Sequence, residues 1–480
     1  MEKKKKFYLL LPIVVFFTLT LISHVEFVLA NPVSFETAQI VAERWMKRVG
    51  ENKNIEEGVT LHDDGNRIGY LFNFSDGGFV VVPADDIFKP IKAWSRRGFF
   101  GGKSDFGMDM ETLVKRSFRR QRSFLKKTTI MTQPATSTGW EKILAEDSPR
   151  VSVQVVGPLL TTEWGQRSPY NNYCPFDDNY GEISVTGCTN TAIAQILRYW
   201  QWPKIGVGSK CYSFCSNHDC SLNPEVEVCA DFEHSYNWGE MPKAISETSP
   251  QEEIDAIARL MADVGVINET TYSAIGSGAF PREESFSAHL LYSDELEEIH
   301  EYRDNFFLTV KEQLEKRYPV FFCSDNHAYV ADGYRIDLGM NQTHFNFGWD
   351  GSANGWYTLD QLNEFWDYQE GEKRVTMIIN IYPGESYQPK PFYVEPTGFC
   401  GGNIPCYSTI QAAIDAASFK VRIKIVSGVY RENLKIKKLT KSLILSGGWD
   451  ATFTTQLSNT DVNSLTIRTG TVRVKNIVLR

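Results

Sequence analysis

The spacing of hydrophobic positions changes several times along the chain, and each change predicts a different element. After Ser34, apolar residues recur at helical spacing up to Met46, which predicts an amphipathic helix. Two runs of strand length follow at 69–74 and 78–83, joined by a Ser-Asp-Gly turn, which predicts a β-hairpin. Helical and strand-like stretches then alternate irregularly through residues 151–384, as in an α+β domain.

The last segment, residues 385–480, has a different pattern. One amphipathic helix is predicted at 408–418, followed by short strand-like runs separated by glycines. Those runs are 421–426, 443–445, 464–467 and 471–479. Short runs at roughly 20-residue spacing predict the coils of a β-solenoid. A small β-sandwich is the alternative that this pattern leaves open.

The N-terminus predicts export. Four lysines at 3–6 precede an apolar run over 7–22, and Val28 and Ala30 provide small residues for a cleavage site. We therefore expect a signal peptide removed after Ala30 and a secreted or cell-surface protein. An uncleaved membrane anchor is the alternative, but the run is shorter than the roughly 20 residues that a spanning helix needs.

Length and charge indicate several packed modules. The chain has 480 residues, of which 42% are hydrophobic and 23% charged, which excludes a disordered or fibrous protein. The net charge is +5 over 1–150, −21 over 151–384 and +7 over 385–480. We predict a signal peptide (1–30), an N-terminal domain (31–127), a linker rich in Thr, Ser and Pro (128–150), a central domain (151–384) and a β-rich segment (385–480). No segment has the motifs of a nucleic-acid binder.

Nine cysteines in an exported chain favour disulfides. Four lie between Cys211 and Cys229, and Cys400 and Cys406 form a second close pair. We predict two local disulfides in the first group, with an undetermined connectivity. A zinc site that includes His218 is the alternative. Cys174 and Cys323 stand alone, which leaves Cys188 as the odd cysteine.

Cys188 has the local sequence of a reactive cysteine. Residues 188–200 have helical periodicity and follow Gly187, so Cys188 is predicted at a helix N-terminus. The N–H groups and the positive end of the helix dipole stabilise a thiolate there, which predicts a lowered pKa. A buried structural cysteine at the start of a packed helix is the alternative.

Candidate partners for this cysteine occur in a defined order. His327 follows 139 residues later in a strand-like run, a separation typical of papain-type Cys–His pairs. Asn346 could orient the imidazole of His327, and Trp349 could shield that contact from water. Gln166, upstream of the cysteine, could donate to the oxyanion of a tetrahedral intermediate.

Taken together, these residues resemble the streptopain-like cysteine proteases, which have a papain-like α+β fold. The resemblance extends from about residue 35 to 384. It is densest in these blocks: 164–166, 169–171, 186–203, 236–238, 241–242, 261–265, 276–279, and the stretches around His327 and Trp349. The block at 70–82 is similar to the hairpin of the family's inhibitory prodomain.

The resemblance implies a role for each site residue. Cys188 would be the nucleophile, His327 the general base and acid, and Gln166 the oxyanion donor, with Asn346 and Trp349 supporting the histidine. Ser277 and Asn326 would line the substrate cleft, and the enzyme would need no metal or organic cofactor.

Two positions depart from the family pattern. Asn326 stands where Gly is common, which puts substrate preference in doubt. Phe347 stands where Trp is common, which removes an indole N–H beside His327.

The resemblance implies a secreted cysteine endopeptidase made as a zymogen, with protein substrates and with its own prodomain (31–127) as an intramolecular inhibitor. An acyltransferase or transpeptidase using the same acyl-enzyme is one alternative, and an inactive adhesin or binding protein is another. The C-terminal segment resembles the opening of right-handed parallel β-helix proteins, in 410–414 and 447–450. This likeness suggests contact with a cell surface or polysaccharide.

Overall fold

The structure is a computed structural model. It describes residues 31–98, 100, 118, 137–145, 153–215, 225–301, 306–324, 327–358, 375–384, 391–417, 421–436, 443–468 and 472–480. The expected signal peptide (1–30) and the candidate cleft residue Asn326 lie outside these residues. None of the helices in the described ranges combines the length and the apolar character that crossing a bilayer requires.

The described ranges contain helices and strands in all three predicted segments. The α-helices are α1 (Phe35–Arg48), α2 (Ser137–Leu144), α3 (Cys188–Trp200), α4 (Gln251–Ile267), α5 (Glu283–Leu290), α6 (Phe306–Glu315) and α7 (Ile410–Ala416). The strands before the C-terminal segment are β1 (Ile55–Asp63), β2 (Asn66–Phe74), β3 (Phe79–Pro83), β4 (Ala93–Ser95), β5 (Gln154–Val156), β6 (Phe176–Asp177), β7 (Glu182–Ile183), β8 (Ser209–Cys215), β9 (Glu225–Asp231), β10 (Glu297–Glu301), β11 (Val320–Ser324), β12 (His327–Asp337), β13 (Met340–Asn346), β14 (Gly355–Thr358) and β15 (Val375–Ile379). The C-terminal strands are β16 (Phe392–Val394), β17 (Cys406–Tyr407), β18 (Arg422–Val426), β19 (Gly428–Ile436), β20 (Leu443–Trp449), β21 (Thr460–Ile467), β22 (Val472–Lys475) and β23 (Ile477–Leu479).

The N-terminal domain has the predicted helix and hairpin. Helix α1 begins after Ser34, whose side chain accepts a hydrogen bond from the N–H of Thr37 at 3.1 Å, as an N-cap does. Strands β2 and β3 pair antiparallel around the predicted turn. The buried face of α1, which includes Val41 and Trp45, packs on this sheet.

One sheet runs through both the N-terminal and the central domain. Its strand order is β1-β2-β3-β4-β14-β13-β12-β11-β15-β10, with β5 paired to β12. The two domains join where β4 pairs with β14, through Trp94 opposite Trp356 and Ala93 opposite Tyr357. The N-terminal domain therefore docks by extending the central sheet, with backbone hydrogen bonds across the junction.

Side chains reinforce this junction. The Trp94 and Trp356 rings stack with centroids 5.9 Å apart, and Trp94 Nε1 donates to the side chain of Gln342. At the end of α1, Arg48 donates to both carboxylate oxygens of Asp337, a buried residue. A buried, two-point ion pair of this kind fixes orientation, because a shifted domain would leave the carboxylate without this partner.

The predicted linker is partly wrong. Helix α2 occupies 137–144 within the segment 128–150 and contributes Trp140 and Ile143 to the core of the N-terminal domain. Trp140 Nε1 also donates to the Phe88 carbonyl at 2.7 Å. The Thr/Ser/Pro-rich stretch, 128–138, reaches the first two residues of this helix. Trp140 and Ile143, three residues apart, then supply the apolar side chains that bury the helix.

The central sheet is covered on both faces. Helices α3 and α4 pack on one face, where Ile193, Met261 and Val330 belong to one buried cluster. The other face carries a second cluster, which joins Val310 of α6 to Tyr329 and Phe345 of the sheet. Because β12 is buried on both faces, its residues alternate between the two clusters rather than between core and solvent.

The C-terminal segment stacks parallel strands. Two sheets, β17-β16-β18-β20-β22 and β19-β21-β23, contain only parallel pairs and enclose a core that includes Ile423, Leu434 and Leu445. Helix α7 lies within the predicted 408–418 helix and is capped by Thr409 and by the carboxylate of Glu432. The stacking fits the predicted solenoid better than a sandwich of antiparallel sheets, and the likeness to β-helix proteins stays a prediction.

Candidate active site

Cys188 is the first residue of α3, as predicted, and Gly187 makes its position possible. Gly187 has φ +86° and ψ 145°, a conformation that L side chains rarely adopt. A Cβ built on Gly187 would lie 2.8 Å from the Ser277 carbonyl oxygen. The close approach of these two backbones fixes the turn from which Cys188, half-buried, presents its thiol.

His327 begins β12 and is held from two sides. Its ring stacks on Trp349 with centroids 4.5 Å apart and an interplanar angle of 29°. Its Nε2 lies 2.8 Å from the carbonyl oxygen of Phe347. Because a carbonyl only accepts, Nε2 of the neutral ring carries the proton, and the basic lone pair of the imidazole is on Nδ1.

The thiol and the imidazole belong to adjacent parts of one site. The Cys188 thiol accepts a hydrogen bond from the backbone N–H of Ala328, the residue that follows His327. Helix α3 packs along β12, so the start of the helix and the start of the strand meet. The structure thus brings together the two residues that the sequence separates by 139 positions.

The predicted lowering of the Cys188 pKa is wrong in this structure. Burial raises the pKa of the Cys188 thiol, and hydrogen bonds from the backbone of Ala328, Thr189 and Cys188 oppose that rise only in part. Burial also lowers the pKa of His327 to about 4, against a smaller opposite effect of the Phe347 carbonyl. Desolvation outweighs the helix N-terminus, so both shifts favour a neutral thiol beside a neutral imidazole.

Gln166 lies beside the turn that carries Cys188. Its carbonyl accepts the N–H of Thr186 at 3.0 Å, and its buried side-chain amide donates to the Gly348 carbonyl at 3.4 Å. Gln166 therefore connects Thr186, two residues before Cys188, to Gly348 in the loop that carries Trp349. This position suits a donor directed at the reacting carbonyl.

Asn346 does not hold the imidazole as predicted. Its Nδ2 donates to the Thr162 carbonyl at 2.7 Å, and its amide exchanges reciprocal 3.1 Å hydrogen bonds with Gln195. Its Oδ1 also accepts the Gly348 N–H. The carbonyl of the next residue, Phe347, contacts His327 instead, so Asn346 acts on the histidine only by fixing this loop.

Phe347 stands where the family commonly has Trp, and its ring keeps the aromatic packing beside His327. Its ring stacks on Trp349 at 5.4 Å and lies parallel to His327 at 6.3 Å. Neither the contact made by the Phe347 carbonyl nor the position of Gln195, a buried polar residue on α3, was predicted from the sequence. Gln195 interrupts the apolar run 192–197 of the helix, and this was the available signal for the latter.

Ser277 lies next to the nucleophile, but its hydroxyl points into the protein. It donates to the Val185 carbonyl at 2.6 Å and accepts the N–H of Ser273 at 3.0 Å. Ser277 therefore borders the cleft through its backbone, against Gly187. The other predicted cleft residue, Asn326, lies outside the described residues.

The zinc alternative is wrong for the cysteine-rich hairpin. Within the described ranges, Cys211, Glu227 and Cys229 are the one cluster with metal-ligand spacing, and the two cysteines form a disulfide with each other. Cys215 is also disulfide-bonded. Cys400 and Cys406, the second close pair in the sequence, also form a disulfide.

A half-buried cysteine at a helix start, a histidine with a fixed tautomer and a nearby glutamine amide define a site for acyl transfer through a thiol. Comparison with known proteins agrees with this class. Residues 164–357 match the peptidase C10 family, and residues 30–117 match the Spi protease inhibitor family. The central domain thus belongs to the peptidase C10 family of cysteine proteases, and an inhibitor-like prodomain precedes it.

Individual relatives cover both domains. The chain is 27% identical over 319 residues to the thiol protease/hemagglutinin PrtT of Porphyromonas gingivalis, and 26% identical over 316 residues to streptopain of Streptococcus pyogenes. Each match covers 61% of this chain, but 34% of PrtT and 74% of streptopain. A solved fragment of Prevotella intermedia prointerpain A has 25% identity and a TM-score of 0.52, covering 68% of this chain and 99% of the fragment.

The contact between Gly187 and Ser277 gives a prediction for stability. We expect Gly187→Ala to lower the free energy of unfolding by at least about 2 kcal/mol, because it adds both backbone strain and a steric clash. Gly65→Ala is the matched control, since Gly65 also has a positive φ (+76°) but no atom within 4 Å of the added Cβ. Urea titration measures both variants, and equal losses would show that the Ser277 contact imposes no constraint.

Proposed function

We propose that this protein is a secreted cysteine endopeptidase made as a zymogen. The observation that carries the proposal is the packing of the Cys188 thiol against the first residues of β12, where His327 has its Nε2 bound to a carbonyl and its ring covered by Trp349. With the proton on Nε2, Nδ1 carries the basic lone pair and is the base that we propose for the thiol.

In the proposed reaction, His327 Nδ1 removes the thiol proton as Cys188 attacks a peptide carbonyl. The Gln166 amide and the backbone N–H of Cys188 stabilise the oxyanion of the tetrahedral intermediate. His327 then protonates the leaving amine, which gives an acyl-enzyme and a free peptide. Water, deprotonated by His327, attacks the acyl-enzyme and restores the thiol.

We further propose that the prodomain keeps the enzyme latent partly by desolvating this site. Phe79 and Phe100 of the prodomain belong to the same apolar cluster as Phe347, against which Trp349 packs. Ser95 of the prodomain also donates to the carbonyl of Asn354, and the Asn354 side chain accepts the Phe347 N–H. These contacts connect the prodomain to the aromatic residues that pack beside His327, and we expect its release to admit water to the site.

The enzyme proposal is tested on the full-length chain expressed in a host that exports it. The wild type should appear in the medium without residues 1–30, shed its prodomain and hydrolyse casein, and a thiol-alkylating epoxide should abolish the activity. Cys188→Ala should remain an uncleaved precursor that begins at Asn31. If the wild type, even after cleavage by an added protease, neither cuts casein nor reacts with the epoxide at Cys188, the protease proposal fails.

Latency by desolvation predicts a pH dependence of thiol reactivity. Because the folded-state pKa of Cys188 is raised in the prodomain-bound structure, its alkylation by iodoacetamide should remain slow below about pH 9, the upper end of the ordinary thiol range. Removal of the prodomain should shift the rate profile to lower pH, since water then stabilises the thiolate. Alkylation followed by peptide mass spectrometry gives both profiles, and identical profiles would contradict desolvation by the prodomain.

For the C-terminal segment we propose attachment to a cell surface or polysaccharide. Its parallel strands and its net charge of +7 over 385–480 support a separate binding module. A chain that ends at Pro383 should keep casein hydrolysis but lose retention on cells or immobilised polysaccharide. Unchanged retention of the shortened chain would argue against this role.

A further inference from the structure

The disulfide-bonded hairpin formed by β8 and β9 has no role in the reaction described above. Its residues alternate between solvent and protein, so that Lys210, Tyr212 and Phe214 face inward and Cys211 faces solvent. Cys211 and Cys229 are direct cross-strand partners, and their disulfide joins the two strands on the exposed face. The disulfide therefore rigidifies the hairpin without taking part in its packing on the domain.

The inward face of β8 makes most of its polar and ring contacts with one short stretch of chain, residues 267–272, and Lys210 also donates to the Ser285 hydroxyl at 3.0 Å. Tyr212 donates its hydroxyl hydrogen to the Thr270 carbonyl at 2.7 Å. Lys210 donates to the Ile267 carbonyl at 3.2 Å and forms an ion pair with Glu269 at 3.1 Å. The Phe214 ring packs against the buried Tyr272. These contacts restrain the end of α4 and the turn that follows it.

The same stretch contacts the nucleophile turn through Asn190. The Nδ2 of Asn190 donates to the Thr270 hydroxyl at 2.8 Å and to the Thr186 carbonyl at 2.7 Å, and its Oδ1 accepts from Asn268 at 2.9 Å. Asn190 is completely buried and lies two residues after Cys188, whereas Thr186 lies two residues before it. Thr270 is therefore connected, through one side chain, to both sides of the nucleophile.

The stretch also begins the loop that borders the cleft. Thr271 and Gly278 exchange backbone hydrogen bonds at 2.9 and 3.0 Å, which closes the loop that includes Ser277. Thr189, next to Cys188, donates its hydroxyl hydrogen to the Ala279 carbonyl at 2.9 Å. A displacement of Thr270 would therefore move both the turn that presents Cys188 and the loop that includes Ser277.

We propose that the β8–β9 hairpin is a brace for the nucleophile turn and that Tyr212 is its positioning residue. The chain of contacts runs from Tyr212 to Thr270, from Thr270 to Asn190, and from Asn190 to the turn that presents Cys188. Tyr212 touches no reacting atom and acts only by holding Thr270 in place. The proposal deepens the proposed peptidase function and rests on it for the measurement of turnover.

Tyr212→Phe tests the brace because it removes one hydroxyl and keeps the ring. In the full chain activated by an added protease, we expect kcat for a short peptide to fall about three- to tenfold, the effect of one lost hydrogen bond, with KM changed less than about twofold. The rate constant for alkylation of Cys188 should fall with kcat, since both depend on presentation of the thiol.

Tyr199→Phe is the matched control. Tyr199 also donates a half-buried hydroxyl to a backbone carbonyl, that of Arg317 at 3.0 Å, but near the other end of α3. We expect a similar loss of thermal stability and unchanged kcat and alkylation rate. Equal effects of the two substitutions on kcat and alkylation would overturn the proposal, since the loss would then be a general consequence of destabilisation.

The disulfide provides a second test of the brace. Replacing both Cys211 and Cys229 by serine should lower kcat and the alkylation rate, and adding Tyr212→Phe should lower them less than additively. Replacing both Cys400 and Cys406 by serine is the control, because it removes a disulfide that lies outside the hairpin. Equal effects at the two disulfides would overturn the brace. Absence of peptide hydrolysis by the wild type would refute the peptidase, while the alkylation rates would still test the brace.

Discussion

The antiparallel pairing of β12 with β13 is the constraint on which the site depends. It places Val330 opposite Asn346, so the chain leaving β13 passes the start of β12, and the Phe347 carbonyl meets His327. The next strand, β14, pairs with β13 on one side and with the prodomain strand β4 on the other. One register therefore sets both the tautomer of His327 and the docking position of the N-terminal domain.

In the zymogen that we propose, this shared sheet accounts for both stability and latency. Apolar burial around His327 stabilises the fold and, by excluding water, disfavours the charged thiolate–imidazolium pair. The helix N-terminus at Cys188 favours the thiolate, but its backbone hydrogen bonds do not compensate for the loss of solvent. Activation then needs no new catalytic residue, only a change in the solvation of residues that are already in place.

Local patterns in the sequence predicted local structure well. The helix that starts at Cys188 and the hairpin after Phe74 follow from periodicity and turn chemistry, which act over a few residues. The sequence could not show that a backbone carbonyl would replace the Asn346 amide, because every residue has a carbonyl. The sign of the Cys188 pKa shift also escaped prediction, because desolvation depends on residues that are distant in sequence.

The restraints on the nucleophile turn come from several parts of the chain. Ser277 limits the turn sterically at Gly187, Gln166 holds Thr186 by a backbone hydrogen bond, and Asn190 connects the turn to Thr270. A cysteine at a helix start has little conformational freedom once the glycine before it is fixed in a strained conformation. Small movements of Ser277, Gln166 or Asn190 therefore move the thiol. Segments that lie away from the reacting groups, such as the β8–β9 hairpin that we propose as a brace, can therefore act on the thiol without supplying a reacting group.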